Sequence, residues 1–201
     1  MGPRPTLDRD LILASTSPYR RALLERLGVP FRGVAPRVDE EALKAQGTDE
    51  TPEALAARLA LAKADSVRDA FPEATVVGSD QLVALDGDVL GKPGTADRAV
   101  DQLRRLSGRS HRLITAMAVL DRGRLVTHTD VTTLHMRPLT RAELARVVAA
   151  DNPLDCAGGY KLEARGITLF ERIDSADHTA IVGLPLIALT TILRDLGHEV
   201  P

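Results

Sequence analysis

The sequence predicts an α/β protein with a long mixed β-sheet flanked by helices. Three observations lead there. Short apolar runs alternate with amphipathic stretches of helical period along most of the chain. Asp86-Gly87, set between two apolar runs, is a strong hairpin signal, so the sheet is not purely parallel. The 201 residues are 44% apolar but only 2% aromatic, with no Trp, so the core is aliphatic and large enough for one sizeable domain or two small lobes sharing it.

Residues 1–9, with two Pro and one Gly, read as a flexible leader, and 10–201 as a single domain. Leu11–Ala14 reads as a buried strand. Ser17 can cap a helix with Pro18 at its first position, and Gly28 closes it. Phe31–Ala35 is a second strand, and 36–51, polar and containing Gly47, reads as mostly loop. Thr51 and Pro52 start a helix to about Ala70. Glu73–Asp80 holds a strand that Leu82–Leu85 continues or pairs with, and Val89–Leu90 returns after the turn. Gly91-Lys92-Pro93-Gly94 breaks the chain before a helix over Thr95–Leu106. Arg112–Leu120 and Arg124–Leu134 are longer strands around Asp121-Arg122-Gly123. Thr140 caps a helix to about Ala150, Gly158-Gly159 turns, Ile167–Ile173 is a strand, and Gly183–Leu196 is the last helix, closed by Gly197.

Composition excludes several functions. A net charge of −2 with no basic stripe and few aromatics argues against nucleic-acid binding. No apolar run is long enough for a signal peptide or a bilayer span, so a cytoplasmic protein without a membrane partner is expected. The single cysteine, Cys156, forms no intrachain disulfide and fits a reducing compartment. It reads as a small residue beside the Gly-Gly turn, with a reactive thiol as the other reading. His111, His128, His135, His178 and His198 are scattered, which disfavours a zinc centre. The GxGxxG, GxxxxGK[ST] and GxSxG patterns are absent.

Two cations stand where an apolar residue belongs. Arg20 falls within the arc made by Leu23, Leu24 and Leu27, and Lys63 within the face made by Leu55, Ala56, Leu59, Ala60 and Val67. Near Arg20, Ser15 and Thr16 offer hydroxyls, the helix start offers unpaired N–H groups, and Arg21 adds a second guanidinium. Together they describe a phosphate cradle. The alternative is that Arg21 pairs with Glu25 while Arg20 and Lys63 lay their stems on apolar surface with heads in solvent. Asp80 follows a buried run in "VVGSDQ", near a strand end where α/β proteins place ligand-facing residues, and suits a base or a metal ligand. Asp39 and Glu40 add acidic groups, and Lys92 follows the hairpin. Cations and carboxylates without a nucleophile motif suit phosphoanhydride chemistry.

Six stretches, "LILASTSPYRRALLERLGVPF", "APRVDE", "LALAKA", "VVGSDQLVALDGDVLGKP", "CAGGYKLEARGITLFERI" and "VGLPLIAL", run in order from Leu11 to Leu189. In these the chain resembles the Maf family of nucleoside triphosphate pyrophosphatases, most closely its 7-methyl-GTP subgroup. The resemblance implies an inosine-triphosphatase-like α/β fold with two lobes around a cleft. It implies hydrolysis between the α and β phosphates to a monophosphate and pyrophosphate, with Mg²⁺ or Mn²⁺ as cofactor and a homodimer as the assembly. Ser15, Arg20 and Arg21 match the family's phosphate loop, Glu40 its acidic residue after the second strand, Lys63 its buried lysine, Asp80 its general base and Lys92 its GKP lysine. Asp80 and Glu40 are the implied metal ligands.

Tyr19, Gln81 and Glu163 stand at positions that separate subgroups, where members preferring dTTP and UTP carry Arg, Thr and Gln. An aromatic face and a carboxylate both favour the cationic 7-methylguanine ring. The chain departs from the pattern at Tyr19, where the subgroup has Trp, at Ala116, where Gly is usual, and at Thr179-Ala180, near which Asn is usual. A dTTP/UTP pyrophosphatase of the same family, and a nucleotide-binding regulator of septum formation with little turnover, are the competing readings.

Overall fold

A computed structural model describes residues 10–47 and 50–200, so the expected leader over 1–9 lies outside the described residues. Seven strands form one mixed sheet in the order β2-β1-β3-β5-β6-β7, with β4 paired to β3. They are β1 (Leu11–Ala14), β2 (Arg32–Val34), β3 (Thr75–Leu85), β4 (Asp88–Leu90), β5 (Ser110–Asp121), β6 (Arg124–Met136) and β7 (Phe170–Asp174). The helices are α1 (Pro18–Glu25), α2 (Glu40–Gln46), α3 (Pro52–Arg68), α4 (Ala96–Leu106), α5 (Arg141–Asp151), α6 (His178–Val182) and α7 (Leu186–Asp195). Among the described residues the chain forms two compact units, one from 10–80, 115–130 and 177–200 and the other from 81–114 and 131–176.

In the first unit β1 runs parallel to both β2 and β3, with Leu13 opposite Val77 and Ala14 opposite Gly78. Both sheet faces are covered, which is why "LILA" is apolar throughout rather than alternating. Leu11 and Leu13 pack with Leu23 and Leu24 of α1 and Leu189 and Leu193 of α7. Ile12 and Ala14 face the other way, onto Ala64 and Val67 of α3. That second face is held close by Gly78. A Cβ there would lie 2.7 Å from the Ala64 nitrogen and 3.0 Å from its Cβ, and would also meet the Ala60 carbonyl. A buried polar line ties the last residues to the sheet: Thr75 Oγ1 donates to Asp121 Oδ1 at 2.8 Å and lies 2.8 Å from His198 Nε2.

In the second unit β3 and β4 form the expected hairpin, with φ +53° at Asp86 and +94° at Gly87, the left-handed pair of a type I′ turn. Thr95 caps α4 and a complete capping box, Thr140 with Glu143, opens α5. Ser110 Oγ, His135 Nδ1 and Nε2, and Asp174 Oδ2 form a line across β5, β6 and β7, at 2.7 and 2.8 Å. With His135 and Asp174 side chains 25% and 52% exposed, it lies at the surface and braces the strands.

Three expectations need correction. The span read as loop contains α2, whose N-cap Asp39 accepts from the Ala42 N–H at 3.0 Å. The strand expected over Ile167–Ile173 begins as a 3-10 turn, Arg165–Leu169, and becomes β7 only at Phe170. The last helix is two, because Gly183 at φ +118° ends α6 and α7 starts only after Pro185. Elsewhere the differences are at element ends, as where α1 stops at Glu25 before Gly28.

Gly78→Ala is expected to destabilise the protein by about 1–3 kcal/mol, the usual cost of overpacking a close contact. Urea unfolding of the variant against the native protein measures it.

Candidate functional site

The Lys63 side chain ends between two carboxylates. Its ammonium is 2.5 Å from Asp80 Oδ1 and 2.9 Å from Glu40 Oε1, and the Lys63 and Asp80 side chains are each 7% exposed. A lone buried ammonium is costly, and two carboxylates answer that cost. The solvent-facing alternative for Lys63 is therefore not the arrangement found. Three elements meet here for local reasons. Lys63 lies on the buried face of α3, which Gly78 lets approach β3. Asp80 lies two residues beyond Gly78 on the same strand. Glu40 is the first residue of α2, where the Asp39 cap orients the helix and a carboxylate suits the dipole. Ser66 joins these pieces, donating to the Lys63 carbonyl at 2.8 Å and accepting from the Arg37 N–H at 3.1 Å.

Arg20 reaches the same charges. Its Nε donates to the Gly183 carbonyl at 2.9 Å. Burial pulls the guanidinium below its ordinary value while Asp80 and Glu40 pull it back up. The group stays a cation, since arginine does not lose its proton in proteins. The Gly183 carbonyl also receives the buried Ser79 hydroxyl at 2.9 Å, which is 2.9 Å from the Ala116 carbonyl as well. Ser15 Oγ accepts from the Ser17 N–H at 3.1 Å, and Ser17 Oγ accepts from the Arg20 N–H at 3.4 Å. Arg21 is exposed and diverges. Its guanidinium lies 5.6 Å from the Phe31 ring centroid and against Gly33, not on Glu25. Tyr19 is half-buried, at the second position of α1.

The remaining expected residues belong to the second unit. Gln81 is half-buried on β3, while Lys92 and Glu163 are exposed, one after β4 and the other in the turn before Arg165. Cys156 is half-buried, and burial first, then Asp155, pushes its thiol up to about 12, so it is not a ready thiolate.

Among the described residues no group of three or more His, Cys, Asp or Glu could by itself hold a metal. Glu40 and Asp80 each give one oxygen to the Lys63 ammonium, and carboxylates are hard-oxygen donors of the kind that binds Mg²⁺ or Mn²⁺ together with phosphates and water. The donor chemistry fits such an ion. No helix among the described residues is long and apolar enough to cross a membrane.

Asp177 is the residue sequence reasoning missed. It is 4% exposed and accepts from the Thr179 N–H at 2.8 Å, the Thr179 hydroxyl at 2.6 Å and the Ile187 N–H at 2.9 Å. Thr179 Oγ1 in turn accepts from the Leu186 N–H at 2.8 Å. One carboxylate thus caps α6 and α7 together and fixes the turn whose Gly183 carbonyl holds Arg20. The sequence signal was an Asp-x-Thr before a Gly-Leu-Pro break.

The chain matches the family model described as Maf-like protein over residues 10–196. A relative described as 7-methyl-GTP pyrophosphatase from Bdellovibrio bacteriovorus is 48% identical over 187 residues, 93% of this chain and 97% of its own. Relatives with the same description are 51% identical over 192 residues in Xanthomonas campestris, covering 95% of this chain and 98% of theirs, and 43% over 194 in Pseudomonas aeruginosa, covering 96% and 99%. The solved Ham1 protein of Staphylococcus aureus, 11% identical, aligns over 94% of this chain and all of its own with a TM-score of 0.52, a likeness of fold.

Burial pushes the Asp177 carboxyl up, but the hydrogen bonds from Thr179 and Ile187 outweigh it and the net position is below the ordinary value. Its stabilisation is therefore full above the unfolded-state value of about 3.9 and fades as pH falls through the folded-state value. Asp177→Asn keeps an acceptor for Thr179 but turns an NH2 toward the Ile187 N–H. It is expected to cost about 1–3 kcal/mol at neutral pH and to flatten the acid limb of a stability-versus-pH curve from urea melts.

Proposed function

The chain belongs to the Maf-like protein family, and from that premise we propose that it is a nucleoside triphosphate pyrophosphatase acting on 7-methyl-GTP. It cuts the bond between the α and β phosphates and releases the monophosphate and pyrophosphate. The observation that carries the reading is the buried Lys63 ammonium held between Glu40 and Asp80, with the Arg20 guanidinium acting on the same charges. The three relatives' shared description supports the reaction and the substrate.

In this reading the start of α1 takes phosphate oxygens through Arg20, the Ser15 hydroxyl and the Tyr19 N–H, the first-turn amide that the Ser17 cap leaves over, and Arg21 joins them by swinging in from Phe31. Arg20 arrives pre-oriented, because Gly183 fixes its Nε and leaves its outer nitrogens for the ligand. Asp80 accepts the proton of the attacking water, and Lys63 on Oδ1 orients that carboxylate. Glu40 and Asp80 would hold a divalent ion, which would supply offset of the phosphate charge. Lys92 offsets the charge of the leaving pyrophosphate.

The base is read by Tyr19, Gln81 and Glu163. N7-methylation gives guanine a positive charge, so the Tyr19 ring and the Glu163 carboxylate both favour it over unmodified guanine. Residues 10–201 act as one domain, in the cytoplasm and as a homodimer, with a nucleotide and neither nucleic acid nor membrane as partner.

A panel of 7-methyl-GTP, GTP, dTTP, UTP, CTP and ITP with Mg²⁺ or Mn²⁺, products resolved by chromatography, is expected to give monophosphate and pyrophosphate fastest from 7-methyl-GTP. In the same assay Asp80→Asn should lower kcat by about 10²- to 10⁴-fold, the scale of a lost general base, with nucleotide binding largely kept. Turnover of none of the six would overturn the reading, and fastest turnover of dTTP or UTP would overturn the roles of Tyr19, Gln81 and Glu163. Glu163→Gln should lower the ratio of kcat/KM for 7-methyl-GTP over GTP by about fivefold or more, the scale of one charge-assisted contact; an unaltered ratio removes Glu163 as base reader.

A further inference from the structure

The turn that carries Glu163 is anchored at both ends within its own unit. At the far end the Gly166 N–H donates to Asp151 Oδ2 at the end of α5, at 2.8 Å. The turn closes on itself through the Ala164 N–H to the Lys161 carbonyl at 3.2 Å, and Lys161 Nζ donates to the Asn152 carbonyl at 3.2 Å. The near end is Tyr160, which is 5% exposed. Its ring stands edge-on to Phe170, with centroids 5.1 Å apart and planes at 72°, and tilts against His111 at 5.7 Å. A Cβ on Gly158, at φ +77°, would lie 2.9 Å from that ring and 3.0 Å from Val83, so the ring fills the space a side chain would take.

The Tyr160 hydroxyl lies 3.0 Å from His111 Nε2. His111 is 2% exposed, and its Nδ1 is sealed from solvent with no hydrogen-bond partner. Burial, with His135 adding to it, holds the imidazole down to about 4, so at neutral pH the ring is uncharged with one N–H and one acceptor. Burial raises the Tyr160 hydroxyl, which remains a neutral phenol. Two proton arrangements are open to the pair. With the proton on Nε2, the Tyr160 O–H and the Nδ1 lone pair both go unmet. With the proton on Nδ1, Tyr160 donates to Nε2 and only the Nδ1–H is unmet. The second leaves one unmet group instead of two, and each buried one is costly.

We propose that His111 and Tyr160 are positioning residues for base selectivity: the buried Tyr160 hydroxyl, donating to His111 Nε2, holds the Lys161–Gly166 turn in one conformation and so fixes where the Glu163 carboxylate meets a positively charged purine. The proposal rests on the reading of Glu163 as a base reader. The substrate class it concerns is a purine nucleotide cationic on its five-membered ring. Neither residue touches the substrate. Their effect is to remove alternative conformations of the turn, so that the carboxylate is not ordered at the expense of binding.

The test is Tyr160→Phe in the full chain, which keeps the ring and removes the donor. The ratio of kcat/KM for 7-methyl-GTP over GTP is expected to fall about fivefold, the scale of one buried hydrogen bond, with the loss in KM for 7-methyl-GTP rather than in kcat. His111→Leu should match it, and His111→Gln, which can still accept from Tyr160, should restore part of the ratio. A comparably destabilised core variant, Leu106→Val, should leave the ratio alone. In ¹⁵N NMR the native His111 should show the Nδ1–H tautomer and lose it in Tyr160→Phe. An unchanged ratio in Tyr160→Phe, where Glu163→Gln lowers it, overturns the positioning role and keeps Glu163. An unchanged ratio in both removes Glu163 as reader and the proposal with it. An equal loss in Leu106→Val reduces the effect to general softening and also overturns it.

Discussion

A single ammonium, Lys63 Nζ, sets the terms for the first unit. It is buried, so it needs carboxylates, and the two it has come from different elements, Asp80 from β3 and Glu40 from α2. Satisfying it therefore aligns a helix, a strand and a second helix at once. Removing either carboxylate would leave a buried charge half-answered, which costs more than the pair contributes when intact. Gly78 makes the arrangement reachable, since α3 comes close to the strand only where the strand has no side chain. Packing and chemistry are thus the same constraint: the close contact that completes the aliphatic core also delivers the lysine.

A second layer of control works through a backbone carbonyl. Gly183 O takes both the Arg20 Nε–H and the Ser79 hydroxyl, and the turn presenting it is capped by Asp177. The carboxylate does not touch Arg20. It fixes two helix starts, those fix the turn, and the turn holds the guanidinium. Each step replaces a flexible cation with one already directed, which leaves less side-chain entropy to be lost in any further contact.

How much of this was legible follows from the range of each interaction. Arg20 and Lys63 were legible because a cation within an apolar arc violates a local pattern, and such violations tend to fall at functional sites. The hairpin at Asp86-Gly87 and the caps Ser17, Thr51, Thr95 and Thr140 were legible because their hydrogen bonds close within a few residues. The helix α2 was masked by polar composition and by Gly47, although Asp39 caps it as the other four cap theirs. The strand expected from Ile167 failed because apolar residues in a tight 3-10 turn look like a short β run. Asp177 had a local signal that went unread, but the meeting of Ser79 with Gly183 could not be read at all: nothing in a neighbourhood of ten residues says that Ser79 meets a carbonyl 104 positions away. His111 and Tyr160 were invisible for the same reason.

The first unit is discontinuous in the chain, and its closing piece, 177–200, is the last of the described segments to be made. Arg20 emerges from the ribosome early, but the carbonyl that directs it is 163 residues further on. Throughout synthesis of the intervening chain, α1 and β1 lack the α7 side of their core, and the arginine has no fixed direction. A growing chain thus holds Arg20 undirected until Asp177, Gly183 and α7 have been added. Vectorial synthesis thereby couples the setting of this cation to the arrival of the α7 side of the first unit's core.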